Sequence, residues 1–458
     1  MKNGPISSSF RDPSGFVFFR EGLCYRQANL IYKENYDLLI SSGLFKKLTD
    51  AELLIWHEEV NIKYAFSNDA YKVLKPKPIP FISYPYEWSF SQLKSACLTV
   101  LSIQKFALEF GMSLKDASAY NVQFYEGKPV LIDTLSFEKY RDGYPWVAYQ
   151  QLCRFFVAPL ALMQHTDIRM SLLLRIFIDG IPLDLASSSL PWKTIFNPAI
   201  LMHIHLHARY QKKYAGNDSS KSSKKGMGLN SMLGLIDSLE SFVKNLNWDP
   251  KGTEWIEYYN NTTHATQFPE SKTNLVDLYL NELNPNNVWD MGANTGYFSR
   301  LASSKGIQTV SFDSDPACVE KNYLQTRKKK EKNHLPLFLD LSNPSANIGW
   351  GNTERMTLEE RGPADVVMAL ALIHHLAISN NVPLDKIADF FSKICSSLII
   401  EFVPKNDALV QKLLASRKDI FDQYTQNEFE NIFGRFFEIL KSEKIGQTER
   451  TLYIMRKK

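Results

Sequence analysis

The 458-residue sequence predicts an α/β protein: a C-terminal doubly wound, mostly parallel seven-stranded sheet closed by a terminal antiparallel hairpin, behind an N-terminal α+β domain. Three observations carry that expectation. From Glu270 onward short apolar runs alternate with helical stretches of about 10 to 15 residues, as strands alternate with crossover helices. The last two β-rich runs, 436–444 and 450–455, are joined by a short turn and therefore pair with each other. Upstream, residues 214–228 replace every apolar periodicity with Gly, Ser, Asn and Lys, so no packed face can form and a linker is expected.

The elements follow in order. Residues 16–27 read as two strands joined at Glu21-Gly22, after the turn Asp12-Pro-Ser-Gly15. Ser91 is placed as the cap of an amphipathic helix that runs to about Phe110 and stops at Gly111. A hairpin through Glu126-Gly-Lys128 leads into a strand over 129–133. Residues 229–246 have a helical period, and the polar stretch 260–267 separates them from the next regular segment. Then come a helix around 272–283, a strand at 287–290, a helix at 297–304, a strand at 308–313, a helix at 316–330 and strands at 335–341 and 364–372. A helix at 384–395 and a strand at 397–402 precede the hairpin. Three segments result: an accessory α+β domain at 1–213, a linker with a bridging helix at 214–267, and the α/β domain at 268–458.

Composition excludes several classes. Lys and Arg total 53 against 49 for Asp and Glu, so the net charge of +4 is too small to argue for a nucleic-acid partner. The run Arg327-Lys-Lys-Lys-Glu-Lys332 sits at a helix C-terminus, where cations complement the dipole. Cys24, Cys97, Cys153, Cys318 and Cys395 contain no Cys-x-x-Cys, so neither a disulfide framework nor a zinc site is expected. The first residues lack an apolar leader, and the most apolar run, 155–163, is half of what a membrane span requires. A cytoplasmic protein without a membrane partner is expected.

The chemistry concentrates in residues 288–298, Val-Trp-Asp-Met-Gly-Ala-Asn-Thr-Gly-Tyr-Phe, which set Asp290, Gly292, Asn294 and Gly296 at alternate positions between a strand and a helix. The glycines permit close backbone approach at a helix N-terminus. Unlike a dinucleotide fingerprint, the motif opens with a carboxylate, which repels a pyrophosphate and tolerates a cationic amino-acid moiety. In this form it resembles the first motif of the class I S-adenosylmethionine-dependent methyltransferases, and further segments fall in that family's order. The resemblance covers about residues 270–458 and implies a Rossmann-like fold with S-adenosylmethionine as cofactor. It implies that Asp313, with Asp315 in reserve, accepts from the ribose hydroxyls. It likewise implies Asp340 beside the adenine amino group, Leu341 against the ring, and the segment 365–376, including Ala369, lining the cofactor and opening toward the acceptor. The sulfonium methyl is already activated, so alignment is the main task. For a hydroxyl acceptor a base is useful: His375 is best sited, His374 lies beside it, and Glu401 is second choice. The Asn/Asp-Pro-Pro-aromatic motif of enzymes that methylate nucleobase amino groups is missing after the fourth strand, where Ala-Leu-Ile-His-His stands, which disfavours nucleic acid. The chain also resembles nodulation-associated methyltransferases, which implies a glycan or small-metabolite hydroxyl as acceptor.

In the N-terminal half, Asp116, Asn121 and Asp133 have the spacing of a catalytic loop and a metal-binding acid, and this layout resembles protein-kinase and aminoglycoside-phosphotransferase folds. The departures are substantial. No His or Arg precedes Asp116, no Gly-x-Gly-x-x-Gly loop is present, and Thr134-Leu-Ser follows Asp133. A degenerate kinase-like domain that binds substrate or a protein partner is expected, with phosphotransfer as the alternative. A non-catalytic assembly protein that binds S-adenosylmethionine is the third reading. His203-Ile-His-Leu-His207 would share one face on a strand, but its flanks read as helix, so no metal is expected there.

Overall fold

The computed structural model describes residues 3–209, 226–250, 268–415 and 417–458, so much of the expected linker lies outside the described residues. The chain forms two compact units, residues 1–249 with 347–355, and residues 250–346 with 356–458.

In the first unit, β1 (Gly4–Pro5), β2 (Gly15–Arg20), β3 (Leu23–Asn29), β4 (His57–Val60) and β5 (Ala70–Pro76) form an antiparallel sheet ordered β1-β2-β3-β5-β4. The β2–β3 turn falls at Glu21 and Gly22, whose φ values of 53° and 77° are the left-handed pair that a two-residue hairpin needs. Helix α1 (Phe90–Glu109) begins at Ser89, not at Ser91. Ser89 Oγ accepts the Gln92 N–H at 3.4 Å while the Gln92 side chain accepts the Ser89 N–H at 2.9 Å, a reciprocal cap that Ser91 does not make. Four short strands follow: β6 (Met112–Leu114), β7 (Val122–Tyr125), β8 (Lys128–Leu131) and β9 (Phe137–Lys139), paired β6 with β9 and β7 with β8. Strand β8 stops two residues short of the expected end because the Asp133 carboxylate turns back to accept the Leu135 N–H at 2.9 Å. Helix α2 (Leu229–Asn245) belongs to this unit, where Lys105 of α1 pairs with Asp237 at 2.7 Å and also with Glu240. Residues 347–355 belong to it too. Glu354, 2% exposed, accepts from Arg11 at 2.7 Å, and the Arg355 guanidinium lies 3.9 Å above the Tyr120 ring.

The second unit runs α3 (Phe268–Leu283), β10 (Asn287–Met291), α4 (Tyr297–Ser303), β11 (Gln308–Asp313), α5 (Pro316–Lys329), β12 (His334–Phe338), β13 (Ala364–Ala369), α6 (Leu384–Ile394), β14 (Cys395–Phe402), α7 (Ala408–Leu414), α8 (Gln426–Phe436), β15 (Phe437–Lys444) and β16 (Thr451–Lys457). One seven-stranded sheet results, ordered β12-β11-β10-β13-β14-β16-β15, parallel from β12 to β14, with β16 antiparallel to both of its neighbours. The central strands are apolar on both faces because helices cover both. One face packs Val288, Val366, Met368, Ile399, Leu452 and Ile454 against Val276, Tyr279 and Leu280 of α3 and Phe298 of α4. Strand β13 ends at Ala369, three residues before its expected end, because Ala371 takes a left-handed φ of 50°.

Candidate functional site

In an open α/β sheet, ligands sit beyond the carboxyl ends of the strands where the order reverses. Here that point lies between β10 and β13, and register brings Met291, Phe312, Ala369 and Ile400 into one row just below it. Every sequence-assigned cofactor residue lies at or just beyond this end of the sheet.

The β10–α4 loop is built to turn tightly. Gly292 and Gly296 have φ values of 77° and 79°, and Asn294 is left-handed at 51°. A Cβ on Gly296 would lie 2.5 Å from the Asn322 amide, and one on Gly292 would lie 3.2 Å from Leu372 Cδ1. Asp290 is buried and accepts the Ser299 hydroxyl at 2.6 Å, so its carboxylate anchors the first turn of α4 beneath the loop. Burial pushes its pKa up to about 6, with the negative charge of Asp313 adding to the shift.

At the end of β11, the two oxygens of Asp313 accept the Asn294 N–H at 2.7 Å and the Asp315 N–H at 2.8 Å. This carboxylate therefore ties the glycine loop to the neighbouring strand. Burial raises it to about 6 as well. Asp315 is spent differently: it caps α5 by accepting the Ala317 N–H at 2.8 Å. Beyond β12, Asp340 is exposed, and one of its carboxylate oxygens accepts both the Ser342 N–H and the Ser342 hydroxyl. Leu341 follows it, half-buried.

The β13 turn is held by a buried ionic cluster. Glu401, at 0% exposure, accepts the Ala371 N–H at 2.8 Å and pairs with Lys272 Nζ at 2.5 Å and Arg450 Nη1 at 3.2 Å. Arg450 also forks onto Asp407 at 2.7 and 3.0 Å. Burial alone would raise Glu401, but Lys272 and Arg450 outweigh it and its carboxyl lies below its ordinary value. Lys272 and Arg450 are not among the sequence-assigned residues. A signal existed for Lys272, which stands at i, i+4, i+7 spacing with Val276 and Tyr279 on the apolar stripe of α3.

His374 is fully buried beside this cluster, with neither ring nitrogen hydrogen-bonded among the described residues. Burial, then the charges of His375, Arg450 and Lys272, hold it well below the usual histidine range, so it is neutral. His375 is half-buried, its ring 4.2 Å from that of His374, and it opens a π-helical turn (His375–Ser379), a distortion common at functional sites.

The first unit gathers its own polar cluster. Burial and the nearby Asp133 push the Asp116 carboxyl upward, while Asn121 hydrogen-bonds to it. Asp133 is ion-paired with Arg26 of β3. In the 203–207 run, His203 bonds to Tyr149 at 2.8 Å and His207 packs against the same ring at 5.1 Å, while His205 turns to Ser187 at 2.7 Å and Thr194 at 3.0 Å.

A parallel sheet in the order 3-2-1-4-5-7-6, reversed only at its seventh strand and carrying a glycine loop after its first, is the class I methyltransferase fold, and the second unit has it. No family model matches the chain. Over 457 residues it is 33% identical to nodulation protein NoeA of Rhizobium meliloti (strain 1021), covering 98% of this chain and 95% of that one; it belongs to the NoeA family. Among solved structures, it is similar to magnesium protoporphyrin IX methyltransferase (ChlM) from Synechocystis PCC 6803 with bound SAH, at 15% identity, TM-score 0.32, 43% of this chain and 88% of that one. The bifunctional kinase-methyltransferase WbdD matches at 16% identity and TM-score 0.29 over 48% of this chain and 46% of its own. N-methyltransferase NodS from Bradyrhizobium japonicum WM9 matches at 12% identity and TM-score 0.30 over 42% of this chain and 97% of its own.

Proposed function

We propose that this chain transfers a methyl group from S-adenosylmethionine to a hydroxyl of a small metabolite or glycan, in the cytoplasm. The observation that carries the proposal is the convergence of Gly292, Asn294, Gly296 and Asp313 beside the switch point, with Asp340 beyond β12 at the same end of the sheet. The residues suit the cofactor: a loop whose glycines sit at positive φ, a carboxylate beside that loop to accept from a diol, and an exposed acid beyond the third strand. When bound, S-adenosylmethionine supplies an activated methyl group. The protein's own work is then to hold donor and acceptor in line and to remove the hydroxyl proton. His375, half-buried at the mouth of the β13 turn, is the proposed base, with the neutral and wholly buried His374 packed behind it. Glu401, engaged by two cations and a backbone N–H, is poorly placed to take a proton. A role in nodulation, the one in the name of its relative NoeA, is part of the same proposal.

The test is transfer of a labelled methyl group from S-adenosylmethionine into a metabolite and oligosaccharide panel. Label in an O-methyl product supports the proposal. No product, together with no S-adenosylhomocysteine binding, refutes it.

A second reading assigns phosphotransfer to a kinase-like first unit, or substrate or protein binding to a degenerate one. The observation favouring the first is the gathering of Asp116, Asn121 and Asp133; against it stands the Arg26 ion pair on Asp133. Mg-ATP binding that is lost in Asp133→Ala supports phosphotransfer, and its absence in the wild-type chain removes that option.

A further inference from the structure

Ala371 takes a left-handed φ of 50° two residues after β13 ends. That conformation crowds the Cβ of any L-residue other than glycine and needs an external hold to persist. The hold is visible: the Ala371 N–H donates to Glu401 at 2.8 Å. Glu401 is held in turn, because Lys272 of α3 pairs with one of its oxygens and Arg450, just ahead of β16, with the other. Lys272 is fixed in turn, its ammonium 4.8 Å above the ring of Phe298 in α4. Arg450 is fixed by Asp407, whose carboxylate also caps α7.

What this grip positions lies one residue on. The left-handed turn throws Leu372 over the glycine loop, its Cδ1 3.2 Å from where a Cβ on Gly292 would stand. The Leu372 carbonyl then accepts the His375 N–H at 2.9 Å and starts the helical turn that carries His374 and His375. One backbone amide therefore fixes both the wall above the cofactor loop and the departure point of the proposed base.

We infer that Glu401, clamped by Lys272 and Arg450, is a positioning residue that holds the turn at Ala371 in the geometry that binds cofactor and presents His375. This rests on the methyl-transfer proposal above. The role is distinct from that of a base: Glu401 acts through Ala371 and touches neither substrate nor cofactor.

Removing Glu401 alone would leave two buried cations facing each other and risks unfolding the unit. The charge-balanced variant Lys272→Met/Glu401→Leu avoids this, since Arg450 keeps Asp407. In that background Ala371 loses its hold, and the left-handed turn is depopulated by about tenfold, the factor that one residue's left-handed strain represents. Calorimetry with S-adenosylhomocysteine on the full chain should show affinity about tenfold weaker than wild type with the fold retained by circular dichroism. Adding Ala371→Gly removes the strain that the clamp opposes, so affinity should return to within about threefold of wild type. Unchanged affinity in the double variant, or a loss that Ala371→Gly does not restore, would overturn the inference. Failure of the wild-type chain to bind S-adenosylhomocysteine would instead strike the methyl-transfer proposal on which it stands.

Discussion

The close packing of the glycine loop makes a quantitative claim about Gly296→Ala. Alanine at φ 79° carries the left-handed penalty of about 1–2 kcal/mol. Its Cβ would also stand 2.5 Å from both amide atoms of Asn322. Asn322 is 1% exposed and donates to Ser311 Oγ at 2.9 Å, so moving it aside breaks a buried hydrogen bond worth about 1–3 kcal/mol. The sum is about 2–5 kcal/mol, a fall of about 5–20 °C in the melting of a unit of this size. Gly306→Ala is the internal control. It has the same left-handed backbone, at φ 85°, but nothing within 4 Å of the added atom. It should therefore cost only the backbone penalty, about 1–2 kcal/mol. Scanning calorimetry of both variants decides the matter: equal melting temperatures would refute the assignment of Asn322 as the wall against Gly296.

Gly292→Ala should be milder in stability, since the Cβ meets the movable end of Leu372, yet should weaken S-adenosylhomocysteine binding by about tenfold by displacing that wall; an unchanged titration would refute this. Asp290 and Asp313 titrate near 6 in the folded protein, above their unfolded values, so the folded state binds protons that the unfolded chain does not. Between pH 7 and 5.5 their contribution to apoprotein stability should therefore rise as pH falls. Over the same range S-adenosylhomocysteine affinity should fall, by at most about tenfold per pH unit for one coupled proton, and a pH-independent affinity would contradict the role given to Asp313. His375→Ala should lower kcat by about 100-fold or more while leaving cofactor affinity within about twofold; an unaltered kcat would point to an acceptor that needs no base.

The alternation of apolar runs and helical stretches located each strand of the large sheet to within a few residues, because buried parallel strands and amphipathic crossovers have different periods. The errors have specific causes. Strand β13 was expected to reach 372, but its fate is decided by the Glu401 bond to Ala371, a contact 30 residues distant that no window of sequence contains. Ser91 resembles a cap as well as Ser89 does, and only the reciprocal bond with Gln92 separates them. The positions of Asp290, Asp313 and Asp340 at one end of the sheet were legible because each stands at or just beyond the end of a strand that the apolar runs mark. Lys272 left only the signal of a cation on the apolar stripe of α3, and Arg450 none, since the partner of both is fixed only when the sheet brings them to Glu401.

Whether the second unit binds S-adenosylmethionine through Asp313 is decided by calorimetric titration of the full chain with S-adenosylhomocysteine, wild type beside Asp313→Ala. Saturable binding at one site per chain is expected, weakened at least about tenfold when the Asp313 carboxylate and its charge-assisted bonds are removed. No binding by the wild-type chain, or equal binding by a folded Asp313→Ala, would contradict it.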